Sequence, residues 1–149
     1  SPGPLGVMSK SGTLSYEVCY RLSQQGVGQS LWVGVGGDAV KGVRFADLVP
    51  LFEANDQTSA VLVIGEIGGT EEEELADAIR HHEFSKPVYA LLAGTSAPEG
   101  ITMGHAGAMI YGAQGTADSK IAALESVGVH VFTTMLDLVD HVTRTFTKG

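Results

Sequence analysis

Ala60-Val61-Leu62-Val63-Ile64-Gly65-Glu66-Ile67-Gly68-Gly69-Thr70-Glu71-Glu72-Glu73-Glu74 is the stretch whose reading decides the fold. The run 60–64 has no polar alternation, which predicts a strand covered on both faces, as in a parallel sheet. The glycines at 65, 68 and 69 end that strand in a loop. Thr70 then predicts a helix N-cap, with Glu73 three residues on completing a capping box. The acidic run 71–74 sits in the first helical turn, where carboxylates complement the helix dipole, so its role is read as structural.

The same unit recurs on either side. Apolar runs at 6–8, 31–35, 88–92 and 129–132 are predicted strands, the first marked only by Leu5, Val7 and Met8. Between them lie helix-prone stretches. The first starts at Gly12 or Thr13 with Ser11 as N-cap, sets Leu14, Val18 and Leu22 on one face, and ends near Gln24-Gln25-Gly26. The second spans about 45–55, with Pro50 as either a kink or the mark of a start one turn later. The fourth and fifth span 116–127 and about 134 to the end. Alternation of five strands with five helices predicts an α/β, flavodoxin-like fold: a five-stranded parallel sheet, order 2-1-3-4-5, helices on both faces.

That order has a chemical consequence. Strands one, three and four become neighbours, so the loops at their carboxyl ends converge where ligands of such sheets bind. These loops are Ser9-Lys10-Ser11-Gly12-Thr13, Gly65-Glu66-Ile67-Gly68-Gly69, and the stretch from Gly94 through Met103-Gly104-His105-Ala106-Gly107-Ala108.

Composition bounds what they can do. The chain has 149 residues, one domain's worth, and a formal charge of −8 that disfavours nucleic acid and anionic membrane as partners. No apolar run is long enough for a membrane span, and the single Cys19 fits a reducing compartment, cytoplasmic or, in a eukaryote, the mitochondrial matrix. The opening Ser1-Pro2-Gly3-Pro4-Leu5-Gly6 reads as the start of a piece cut from something longer.

Ser11, Gly12 and Thr13 open a helix directly after a strand, where free N–H groups, the dipole and the hydroxyls favour an anion; the alternative is that Ser11 only caps the helix. Glu66 ends a buried strand, where a carboxylate needs a partner. It either caps or meets water, or accepts a proton from one nitrogen of His105 and leaves the other as a nucleophile. His105, flanked by glycines, is otherwise a loop histidine that caps a helix or is simply solvated. With an anion site alongside, the matching chemistry is phosphoryl transfer to histidine.

Five ordered motifs carry a resemblance: Ser9-Lys10-Ser11-Gly12-Thr13-Leu14-Ser15-Tyr16-Glu17, Gly34-Val35-Gly36-Gly37-Asp38, Gly65-Glu66-Ile67-Gly68-Gly69, Met103-Gly104-His105-Ala106-Gly107-Ala108 and Gly115-Thr116-Ala117 with Lys120-Ile121-Ala122-Ala123-Leu124. Together with Lys86-Pro87-Val88 they resemble the C-terminal CoA-ligase domain of the succinyl-CoA synthetase α-subunit family over nearly the whole chain. The resemblance implies a single CoA-ligase domain over 1–149, without the family's N-terminal CoA-binding Rossmann domain. It implies an acid–thiol ligase that forms an acyl-CoA from a small carboxylic acid, using ATP or GTP through an acyl phosphate and a phosphohistidine.

By that resemblance His105 is the phosphorylated histidine, Glu66 orients it, the helix from Ser11 holds phosphate, and Tyr16 contributes to the acid-substrate site. No cofactor or metal belongs to this domain alone. CoA, nucleotide and Mg²⁺ come through the full enzyme, whose β subunit brings an ATP-grasp nucleotide site. An isolated domain is therefore expected not to turn over.

The departures from the family are Glu99-Gly100-Ile101-Thr102, which lacks the usual basic residues, Asp38-Ala39 in place of Asp-Pro, and Tyr111-Gly112-Ala113-Gln114 in place of a glycine-rich stretch ending in lysine. Each puts succinate as the acid in question and leaves malate, citrate or another acid open. Other readings stay in play: a non-catalytic assembly or acyl-CoA-sensing domain, a flavin-binding module and, weaker, an aspartate-phosphorylated receiver. His81-His82 is read as surface, His130 and His141 as structural, Cys19 as core packing, and Trp32 as packed on the sheet.

Overall fold

A computed structural model describes residues 1–94 and 115–148. Strands and helices alternate as β1 (Pro2–Ser9), α1 (Gly12–Gln24), β2 (Gln29–Gly34), α2 (Phe45–Ala54), β3 (Ala60–Glu66), α3 (Glu71–His81), β4 (Val88–Ala93), α4 (Ala117–Glu125), β5 (His130–Phe132) and α5 (Met135–Thr147). All strand pairs are parallel, in the order β2-β1-β3-β4-β5. The expected architecture is the observed one.

β3 is the centre, and all seven of its residues are buried. The pleat sends alternate side chains to opposite layers. Val61 and Val63 join Met8 and Ala90 beneath α2, α3 and α4, where Phe45, Phe52, Leu75 and Leu124 complete one core. Leu62 and Ile64 join Leu5, Val7 and Leu91 beneath α1 and α5, against Val18, Leu22, Leu138 and Val142.

The local details divide. Ser11, Thr116 and Thr134 each cap a helix through the side-chain oxygen, accepting from Leu14, Ser119 and Asp137 N–H groups respectively. The second helix begins at Phe45 with Pro50 inside it, not one turn later. The first strand is longer than its three apolar residues indicated, because pairing with β2 starts at Pro2, ahead of the pairing with β3 that starts at Leu5. Trp32 packs on the sheet as expected: a Cβ on Gly34 of β2 would lie 2.9 Å from its ring. It lies on the edge strand β2, partly exposed, with its ring stacked 5.5 Å from that of Tyr16 on α1.

Candidate active site at the carboxyl edge of the sheet

Ser9 pairs with Ile64 in the β1–β3 register, and the Lys10 N–H donates to the Ile64 carbonyl at 2.9 Å. The exits of β1 and β3 are thereby aligned. The turn after β1 is set by hydroxyls: Ser9 Oγ donates to the Ser11 carbonyl (2.7 Å) and accepts the Ser11 N–H (3.0 Å). Ser11 Oγ accepts from the Leu14 N–H (3.2 Å) and Ser15 Oγ donates to the Gly12 carbonyl (2.8 Å). Capping uses a lone pair of Ser11 and leaves its O–H proton to donate. Gly12 and Thr13 stand exposed in the first turn, whose N–H groups have no intrahelical partner. Ser11 is thus a helix cap, and capping does not consume the O–H proton that an anion site would use.

Glu66 is the last residue of β3 and is buried. Its N–H donates to Glu72 Oε2 at 3.0 Å. Glycine precedes it for a steric reason: a Cβ on Gly65 would lie 2.5 Å from that same Oε2. Glu66 lines a cavity of about 220 Å³ together with Lys10, Asp38, Lys41 and Arg44.

The segment 95–114, which contains His105 and the departures at 99–102 and 111–114, lies outside the described residues. Its flanks are placed. Ala93 pairs with Glu66 in register, and its carbonyl accepts the Ile67 N–H (3.2 Å). At the other end the Gly115 carbonyl accepts the Gly68 N–H (2.7 Å). Gly115 has φ +79, and a Cβ there would come 2.9 Å from the Gly68 Cα, so only glycine fits on both counts. The chain therefore leaves for His105 and returns from it against the loop that carries Glu66.

The acidic run occupies the first turn of α3, where the dipole favours it as expected, but the expected capping box is absent. Thr70 makes no side-chain cap bond, and Glu73 turns instead to Lys120 (2.8 Å), so the capping box does not form. A carboxylate gains more from a buried ammonium than from one amide. Glu72 is fully buried and receives Lys10 Nζ and Lys120 Nζ, each at 2.9 Å, on one oxygen. Burial works against its charge, yet the two lysines outweigh that and hold its pKa below the ordinary 4.5. Glu71 pairs with Lys41 and accepts the Phe45 N–H (3.0 Å), while Glu74 pairs with Arg44 (2.8 Å). Lys120 is itself fully buried and also donates to the Gly69 carbonyl (3.1 Å).

Sequence reasoning missed this cluster. Its signal was available on α4, where Lys120 precedes the buried Leu124 by four residues and so lies on the apolar stripe. An acid dependence follows. The folded pKa of Glu72 is depressed, so its stabilisation is present above 4.5 and is lost as pH falls through the lower folded value. Urea unfolding followed downward from pH 5.5 is expected to show a stability loss below pH 4.5 that is smaller in Glu72→Gln.

The remaining candidates are placed plainly. Tyr16 is exposed and stacked on Trp32. His81 and His82 are on the surface, and His130 and His141 lie within ring contact of each other and of Tyr89. Cys19 is half-buried on α1, and burial pushes its thiol up to about 11, too high for a nucleophile. Among the described residues no group of three or more His, Cys, Asp or Glu is arranged to hold a metal ion.

A family model described as CoA-ligase matches residues 8–130. The chain belongs to the CoA-ligase family. The resemblance carried by the motifs is borne out, and membership sets aside the flavin and receiver readings. The chain is 51% identical over 142 residues to the succinate–CoA ligase [ADP-forming] subunit alpha 1 of Archaeoglobus fulgidus, covering 95% of this chain and 48% of that protein. It is 52% identical over 129 residues to the corresponding subunit alpha of Aquifex aeolicus, covering 87% and 42% respectively. The structure of Methanosaeta concilii ATP citrate lyase in complex with (3S)-citryl-CoA superposes with a TM-score of 0.89 at 28% identity, over 99% of this chain and 24% of that one. This CoA-ligase domain spans about half the length of the curated relatives it matches.

Proposed function

We propose that this CoA-ligase domain carries the phosphohistidine of an NDP-forming acid–CoA ligase, with His105 as the phosphorylated residue. One observation supports this reading above the others: both flanks of the segment holding His105 are bonded to the Glu66 loop, beside the helix N-terminus at Ser11.

In this reading one imidazole nitrogen of His105 attacks the terminal phosphorus of the nucleotide. The P–N bond forms as the P–O bond to the nucleoside diphosphate breaks. Glu66 accepts the N–H of the other ring nitrogen, which fixes the tautomer and stabilises the charge that develops on the ring. The first turn of α1, with Ser11, Gly12 and Thr13, donates to the phosphoryl oxygens. The phosphate then passes to the acid, giving the acyl phosphate that CoA attacks. A β subunit of the ATP-grasp type supplies nucleotide and Mg²⁺, a CoA-binding domain supplies the thiol, and Tyr16 faces the acid. Succinate is the first acid to screen, on the names of the relatives.

The test is to incubate the complete protein with a succinate–CoA ligase β subunit, Mg²⁺ and phosphate-labelled ATP. An acid-labile phosphate is expected on the parent and none on His105→Ala. A parent that stays unlabelled beside a competent partner would return the domain to a non-catalytic assembly role.

A further inference from the structure

Glu72 stands where three pieces of the site meet. Its Oε1 receives Lys10, which lies between Ser9 and Ser11 in the turn after β1. The same oxygen receives Lys120 of α4, the helix that follows the return from 95–114. Its Oε2 receives the Glu66 N–H, and Gly65 leaves the space in which that oxygen sits. Lys120 adds a bond to the Gly69 carbonyl, so it also holds the far end of the Glu66 loop. A buried ion cluster is a poor way to gain stability alone, since well-packed apolar residues of similar volume do as well or better. What it supplies here is fixed geometry.

We propose that Glu72 is a positioning residue for Glu66: clamped by Lys10 and Lys120, its carboxylate fixes the Glu66 peptide relative to the Ser11 turn. The inference rests on the reading of His105 and Glu66 given above, and it deepens it. Glu72 touches neither phosphate nor histidine in this scheme. It sets the stem from which the Glu66 carboxylate projects, and a small misplacement of an orienting group costs rate rather than affinity.

The test uses the complete protein with its β-type subunit, following phosphohistidine formation at varied ATP. Two variants perturb the contact differently. Glu72→Gln removes the charge, whereas Gly65→Ala keeps every charge and drives a methyl against Oε2. Because Glu72→Gln removes the charge that two buried lysines share, Gly65→Ala carries the test where that variant does not fold. Val88→Ala, a buried change at the amino end of β4, serves as the destabilised control far from the site. Both site variants are expected to lower kcat per folded molecule about tenfold or more, with KM for ATP within about twofold of the parent. The control is expected to lose stability with kcat unchanged. An unchanged kcat in folded Gly65→Ala overturns the positioning role, and leaves the phosphohistidine reading intact. A parent that takes up no label removes that reading and the inference with it.

Discussion

Lys120→Met is expected to destabilise the domain by about 3–5 kcal/mol, the range for removing one partner of a buried ion pair. Lys120 is fully buried and bonds Glu72, Glu73 and the Gly69 carbonyl. Methionine matches its length but leaves the carboxylates short of a cation. Lys10 still covers Glu72, so Glu73 and the Gly69 carbonyl carry most of the loss. Against a typical domain stability of about 5–15 kcal/mol, that loss brings many molecules close to unfolding.

The surface pair Arg144–Asp140 has the shorter contact, 2.6 Å, yet both side chains are largely exposed. Removing it is worth about 0.3–0.5 kcal/mol, as for other exposed helical pairs. Urea midpoints of the two variants check the contrast. A Lys120→Met loss below about 1 kcal/mol would mean that the carboxylates are hydrated despite their burial. Adding Glu72→Met to Lys120→Met is expected to cost less than the sum of the single changes, because the second removes a charge that the first left underpaired.

Glu66→Gln is expected to slow phosphorylation of His105 by about 100-fold or more, the lower end of what a positioned proton-holding group contributes. Glutamine fills the same volume and leaves the backbone N–H bond to Glu72 in place. It can still accept from an imidazole N–H through its carbonyl, but it cannot neutralise the positive charge that grows on the ring. Stability is expected to change far less than rate, which separates this variant from Lys120→Met. Single-turnover labelling with the β subunit in excess measures it directly. A rate equal to the parent's would remove Glu66 from the orienting role and pass that role to another acid.

Much of this molecule was legible without its structure. Short apolar runs without alternation mark buried parallel strands, and the common five-strand doubly wound sheet supplied the order β2-β1-β3-β4-β5 that is observed. Ser11, Thr116 and Thr134 were readable as caps because a cap is decided within four residues. The alignment of the Ser11 turn with Glu66 followed from the order alone.

Thr70 and Glu73 read equally well as a capping box, and there the local rule lost. Glu73 meets Lys120 from 47 residues away, and Glu72 meets Lys10 from 62. Trp32 reads as packed on the sheet and lies there, but only the structure sets Tyr16 of α1 against its ring. Sequence alone determined the strands, the helices and the sheet edge where the candidate site lies, because those depend on near neighbours and on chain handedness. The tertiary structure decided which charge neutralises which, because a buried carboxylate takes the nearest ammonium in space, and spacing along the chain does not encode that distance.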